Sequence, residues 1–246
     1  MRHSLRCLCA AALGLAVIGL LGAPAGARDH IRTLTSRGAI LQPPASSATK
    51  VVSPVQGCQV LLDSGDGDCA FVPGASGGLA FTIESGPTID EVLASRPWTV
   101  RVYRPSATVP EGWEVALEAT PTEGYPGALF AEVTGKVVDV TGDGEDELVL
   151  GYRSEGTGGI LDVDVVGVAD DGVARVLAHD QLYKGTVVAR DDRFVTYTPV
   201  YRKRDGNCCP TWIERATVTF EDGVFRVHPG RRTPTERAKV PPGDLG

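Results

Sequence analysis

Ten consecutive residues, Asp139-Val140-Thr141-Gly142-Asp143-Gly144-Glu145-Asp146-Glu147-Leu148, pack six oxygen-bearing side chains into one short stretch. With Asp139 as position one, Asp139, Thr141 and Asp143 present oxygens at positions one, three and five. Glu145 offers its backbone carbonyl at position seven, and Glu147 closes the far side with a carboxylate at position nine. Gly144, at position six, permits the sharp turn by which such a loop wraps an ion. Hard oxygen ligands at this density suit Ca2+, so the expectation is one Ca2+ held by Asp139, Thr141, Asp143, Glu145 and Glu147, with an affinity of about 10⁻⁴–10⁻³ M. An EF-hand is excluded. Leu150 stands at position twelve, where a bidentate Glu is required, and both flanks read as strands. The acidic turn Asp63–Asp68 lacks a spaced final carboxylate and reads as a hairpin tip.

Other residues with chemical capacity lack the context that catalysis requires. Gly74-Ala75-Ser76-Gly77-Gly78 matches a nucleophile elbow by letters, but Pro73 precedes Ser76 and the strand-like Leu79–Glu84 follows it, where an elbow needs strand then helix. His179, followed by Asp180, has the composition of a general base with an orienting carboxylate, yet reads more simply as a loop histidine. Glu155-Gly156-Thr157-Gly158-Gly159 lacks the strand-to-helix setting of a phosphate loop. No catalytic residue is assigned. Tyr197, Tyr201 and Trp212 surround the basic run Arg202-Lys203-Arg204 and the corner Cys208-Cys209-Pro210. They form either a surface for sugar or peptide or, the preferred reading, the core aromatics of strands.

The segment Lys136–Tyr152 has the order strand, then D-x-[NDT]-x-D-G-x-x-[DE]-L, then apolar strand, and so resembles the calcium loop of the FG-GAP and VCBS repeat family. The resemblance implies a Ca2+-stiffened extracellular β structure of an adhesive kind, in which such repeats form propeller blades. No fixed-period repeat recurs along the chain, so a full propeller is not expected.

The elements that must position this loop are strands. Val, Gly, Thr and Pro are abundant, and short apolar or alternating runs recur every 8–12 residues between acidic-Gly turns. The fold class expected is mostly β: antiparallel meander or sandwich-like sheets with few short helices. Residues 58–121 form a small β-rich region, with strands at 58–62, 69–72, 79–84, 98–103 and 113–118 and a short helix at 89–94. Residues 122–228 form a β domain carrying the loop, in which Asp162 and Asp164 alternate with valines and leucines, and Glu221-Asp222-Gly223 turns a hairpin. Residues 28–57, with Pro43-Pro44-Ala45-Ser46-Ser47-Ala48-Thr49, read as a disordered tether. Residues 229–246 read as a disordered tail whose Arg231, Arg232, Arg237 and Lys239 are solvated or touch an acidic envelope polymer.

Residues 1–27 read as a cleavable signal peptide. Arg2, His3 and Arg6 precede the uncharged run Leu8–Leu21, and Ala25-Gly26-Ala27 supplies the small residues of a cleavage site. Removing 27 of 246 residues leaves 219. Two arginines leave with the leader, so 22 basic face 31 acidic residues, a net of −9. That field disfavours nucleic acid. The expected location is secreted or extracytoplasmic, with no membrane span after cleavage and with a protein or glycan partner outside the cytoplasm. Four cysteines then remain, Cys58, Cys69, Cys208 and Cys209, an even number that implies two disulfides in an oxidising space. The preferred pairing is local, Cys58–Cys69 with Cys208–Cys209, and the alternative ties each late cysteine to an early one. The functional expectation is a non-catalytic binding or envelope-associated module with a structural Ca2+; the alternative is a secreted hydrolase.

Overall fold

The computed structural model describes residues 31–45, 49–51, 57–63, 67–73, 78–89, 96–120, 129–154, 159–169, 172–243 and 245. Residues 1–27, read above as a signal peptide, the residues around Ser76, the Glu155–Gly158 connection and most of the segment 89–94, expected as a short helix, lie outside them.

The chain is mostly β, in three antiparallel sheets. The first sheet takes β1 (Arg32–Thr33), β15 (Val224–Pro234), β14 (Trp212–Glu221), β13 (Arg193–Val200) and β12 (Thr186–Arg190), in that order. The second takes β11 (Ala174–Tyr183), β10 (Ile160–Val168), β9 (Glu147–Arg153) and β8 (Glu132–Val138). The third takes β2 (Thr49–Val51), β6 (Gly112–Ala119), β5 (Arg96–Pro105), β4 (Leu79–Ser85) and β3 (Asp68–Val72), with β7 (Leu129–Phe130) paired to β5. Local turn chemistry supports these hairpins. Between β14 and β15, Asp222 and Gly223 both take positive φ, 53° and 79°, as a two-residue hairpin turn matching the strand twist requires. The run at Cys58–Leu61, expected as a strand, is instead a single 3-10 turn leading to the disulfide with Cys69, whose Cα lies 5.8 Å from that of Cys58.

The second sheet is the middle layer. One apolar cluster joins Val149, Leu161, Val163 and Val165 on its first face to Phe194, Val218 and Phe225 of the first sheet. A second cluster joins Leu148, Leu150, Tyr152 and Val166 on its other face to Phe81, Ile83, Val102 and Leu117 of the third sheet. β9 is consequently buried at six of its seven positions and β10 at seven of nine. Asp162 and Asp164, which alternate with apolar residues along β10, lie on the same face as Tyr152 and Val166 and are buried, Asp164 completely and beneath the segment Ile40–Leu41. The 58–121 region thus packs directly on the strands that carry the calcium-type loop.

Both expected loose ends are ordered in large part. After β1 the segment Leu34–Gln42 crosses the open edge of all three layers. Leu34 N–H donates to Phe225 O (2.8 Å), Thr35 bridges His179 on β11, and Gln42 bridges Glu118 on β6. Leu34 and Leu41 are buried, which the proline-rich composition further along conceals. From Pro229 onward, the supposed tail continues β15 to Pro234, and Leu245 returns to the first cluster fully buried and bridged to Val187. Leu245→Ala should therefore cost about 2 kcal/mol, the low end for a buried leucine because a chain end relaxes easily. Chemical denaturation reads this, and an unchanged midpoint would restore the loose tail.

Candidate functional site

The loop 139–146 joins the adjacent strands β8 and β9, and its shape comes from carboxylates folding back on its own backbone. Asp139 Oδ1 accepts from Gly142 N–H (2.6 Å) and Oδ2 from Gly144 N–H (2.9 Å). Asp143 Oδ1 accepts from Glu145 N–H (2.8 Å). Gly142 and Gly144 sit at φ 76° and 91°, where a side chain is strained. At the loop's end Glu147 turns inward, 4% exposed, and its Oε2 accepts from Val140 N–H (3.0 Å) and Thr141 N–H (3.1 Å). The Thr141 hydroxyl lies within 3.3 Å of Glu147 Oε1 and 3.4 Å of Asp139 Oδ1, so its single proton serves one of them at a time.

These contacts bring Asp139, Thr141 and Glu147 together with Asp143 close by, while Glu145 joins only through its N–H. Burial pushes the Glu147 carboxyl up to about 7. The two backbone N–H groups oppose that rise, and the negative charges of Asp143 and Asp139 add to it. Among the described residues no group of three or more His, Cys, Asp or Glu side chains is arranged to hold a metal ion. The donor set nonetheless fits a hard cation: it is all oxygen, and a carboxylate oxygen with two lone pairs can keep its N–H and take an ion as well.

A second polar constellation lies in the middle sheet, on the face covered by the third sheet. Cross-strand register aligns Tyr152, Asp162 and Gln181 in one row and Leu150, Asp164 and His179 in the next. Asp164, fully buried, accepts from Ile40 N–H and Leu41 N–H (both 3.0 Å) and pairs with His179 Nδ1 (2.8 Å). Asp162 accepts from Gln181 Nε2 (2.8 Å) and stands 3.7 Å from His179 Nε2. Burial lowers the His179 pKa, but the Asp164 hydrogen bond and the charges of Asp164, Asp162 and Asp180 outweigh it, and the net shift is upward. Burial likewise raises Asp162, as does Asp164, while Gln181 and His179 oppose the rise.

The carboxylate that orients His179 is thus Asp164, on the neighbouring strand. Asp180, next in sequence, points to the opposite face, as strand alternation demands, and accepts a bidentate pair from Arg32 (2.8 and 2.9 Å). Two carboxylates two residues apart in a Val/Leu strand were the available signal for this cluster, and by sequence alone they yield only the strand's alternation. His179 Nε2 is closed in by Asp162 and by Gly38, at which a Cβ would come within 3.4 Å of it. Cys208 and Cys209 are bonded to each other as neighbours, and Tyr197, Tyr201 and Trp212 are half-buried beside them. Comparison with known protein families, with curated proteins and with solved structures finds no match.

Proposed function

We propose that this chain is an exported, non-catalytic binding module of the cell envelope or its surroundings, whose 139–147 loop takes a structural Ca2+. The observation that carries the reading is Glu147, a buried carboxyl held near two further carboxylates, with its proton affinity raised to about 7. Asp139, Asp143 and Glu147 would hold the ion by carboxylate oxygens, aided by the Thr141 hydroxyl and the Glu145 carbonyl. A dication there supplies positive charge that offsets their mutual repulsion and stiffens the β8–β9 connection. The all-oxygen loop between two strands is also what supports the FG-GAP-like resemblance. The non-catalytic part is supported by His179: of the charged constellations it looks most like a catalytic pair, yet its free nitrogen is enclosed rather than open to a substrate.

A thermal melt of protein recovered from an exporting host, in Ca2+ and in EDTA, tests this. At 10 mM Ca2+ and a Kd of about 10⁻⁴–10⁻³ M, the ion should add about 1.5–2.5 kcal/mol. That corresponds to a rise of roughly 3–10 °C for a chain of this size. Asp143→Ala should abolish the rise. Identical melts in both conditions would reduce the loop to a turn.

A further inference from the structure

The outer face of the first sheet carries a continuous groove whose chemistry contradicts the rest of the molecule. Its upper half is a trough of about 290 Å³ floored by Pro199 and Ile213 and walled by Tyr201, Cys208 and Pro210. Its lower half, about 420 Å³, is lined by Arg215, Arg231, Arg237 and Lys239. Tyr197 and Ile213 belong to both halves, and among the described residues no Asp or Glu lines either. The chain as a whole has a formal net charge of −7, yet five cations gather here, Lys184 in the upper half and four in the lower, and among the described residues none of the lower four makes an ion pair.

The sheet builds this cluster on purpose-shaped backbone. Tyr197 on β13 pairs directly with Arg215 on β14. Between β14 and β15 the register slips, with Glu214 opposite Arg232 and Ala216 opposite Pro229, so Arg215 faces both Gly230 and Arg231. Such a bulge re-aims a side chain, and it brings Arg231 to the groove beside Arg215. Only glycine fits at 230, where a Cβ would come within 2.1 Å of the Arg215 carbonyl. The tyrosine wall is equally fixed. Tyr201 Oη donates to Asn207 O (3.0 Å), and Asp205 Oδ2 accepts from Arg202 N–H, Thr211 N–H and the Thr211 hydroxyl across the base of the Cys208–Cys209 loop.

We propose that this groove binds an acidic polysaccharide, a chain of sugars bearing carboxylates; the proposal rests on the binding-module reading and names its ligand. Half-buried tyrosines beside prolines offer the flat apolar surface that a sugar ring covers, with a polar rim. Arginine forks suit carboxylates bidentately. A peptide adding as a strand would need an open strand edge, whereas Arg215 and Arg231 lie on a sheet face where β14 is already paired on both sides, with β13 and β15. Nucleic acid is equally anionic, so the net charge of the protein does not separate the two ligands, and the DNA arm of the test below does.

The test is titration calorimetry of the exported chain with a galacturonate hexamer. Its methyl-esterified form and a single-stranded DNA oligonucleotide serve as comparisons, at low and at physiological salt. The free-carboxylate hexamer should bind, the ester should bind at least tenfold more weakly, and salt should weaken binding. Arg215→Gln combined with Arg231→Gln should weaken the hexamer at least tenfold, and Tyr197→Ala should weaken it severalfold. The exposed Arg204→Gln, outside the groove, should leave binding unchanged, and melts of all variants should show that the fold survives. Absence of hexamer binding overturns the proposal. So does hexamer binding that survives the double arginine substitution, or DNA binding as tight as the hexamer's and indifferent to Tyr197→Ala. A calcium-insensitive melt with intact hexamer binding would remove the ion and keep the groove. A calcium-sensitive melt without hexamer binding would do the reverse.

Discussion

Asp164→Ala should cost about 3–5 kcal/mol of folding stability, the largest single-residue loss expected in this chain. Asp164 is fully buried and serves three donors, Ile40 N–H, Leu41 N–H and His179 Nδ1–H. Removing it leaves two backbone N–H groups without an acceptor, each costing about 1–3 kcal/mol, and takes from His179 its closest carboxylate. The loss also unlaces Leu34–Gln42, the segment that crosses all three sheets. Asp162→Asn is the contrast. Asp162 has a single close donor, Gln181, which an asparagine carbonyl still accepts, and its raised pKa shows that its charge is poorly tolerated. That substitution should change stability by less than about 1 kcal/mol. Urea midpoints for both variants decide the matter, and equal losses would show that Asp164 bears no more of the cluster than Asp162 does. The His179 contribution is complete below the ordinary histidine value of 6.5 and is lost as pH rises through its raised folded value. The gap between wild type and Asp164→Ala should therefore narrow in alkali, and the His179 titration followed by NMR should move down in the variant.

The second large effect is a pH response at Glu147 whose direction is unusual for a carboxylate. Its folded-state pKa, about 7, lies above the ordinary 4.5, so the folded protein holds this proton more tightly than the unfolded chain does. Stability from this group is complete below pH 4.5 and is lost as pH rises to 7 and beyond. At about 1.4 kcal/mol per pH unit the rise amounts to at most ~3.5 kcal/mol, and solvent beside the loop trims it to about 2. In EDTA the melting midpoint should fall between pH 5 and pH 8. In millimolar Ca2+ most of that fall should vanish, because the ion takes the place of the proton. Glu147→Gln should flatten the EDTA profile and lose the calcium effect together. A wild-type profile flat in EDTA would mean that Glu147 is better solvated than its burial indicates.

Much of the architecture was legible because it is local. Strand periodicity and Gly/Asp turns placed nearly every strand of the described chain to within a few residues, and Asp222-Gly223 announced its own hairpin. The misses of type are the short strands β1 and β2 inside the expected tether, the continuation of β15 past Pro229, and the 3-10 turn at Cys58–Leu61, a four-residue piece that carries no periodicity of its own. The loop Asp139–Glu147 was legible because it too is local: nine contiguous residues bring their own oxygens together whatever the rest of the chain does. What depended on distant segments was hidden. Whether Asp162 and Asp164 face water or protein is settled by residues far earlier in the chain, with Ile40–Leu41 over Asp164. The partner of His179 is Asp164 because antiparallel register sets β10 against β11, while alternation sends adjacent Asp180 to Arg32. Arg231, Arg237 and Lys239 read as a solvated tail in sequence, since only pairing of β15 with β14 and one bulge bring them beside Arg215 and Tyr197. By itself the sequence determined strand class, turn positions and the acidic loop, all set by neighbours in the chain. The tertiary structure decided which charges are buried, which are paired and which share a groove, because those depend on which sheet covers which face.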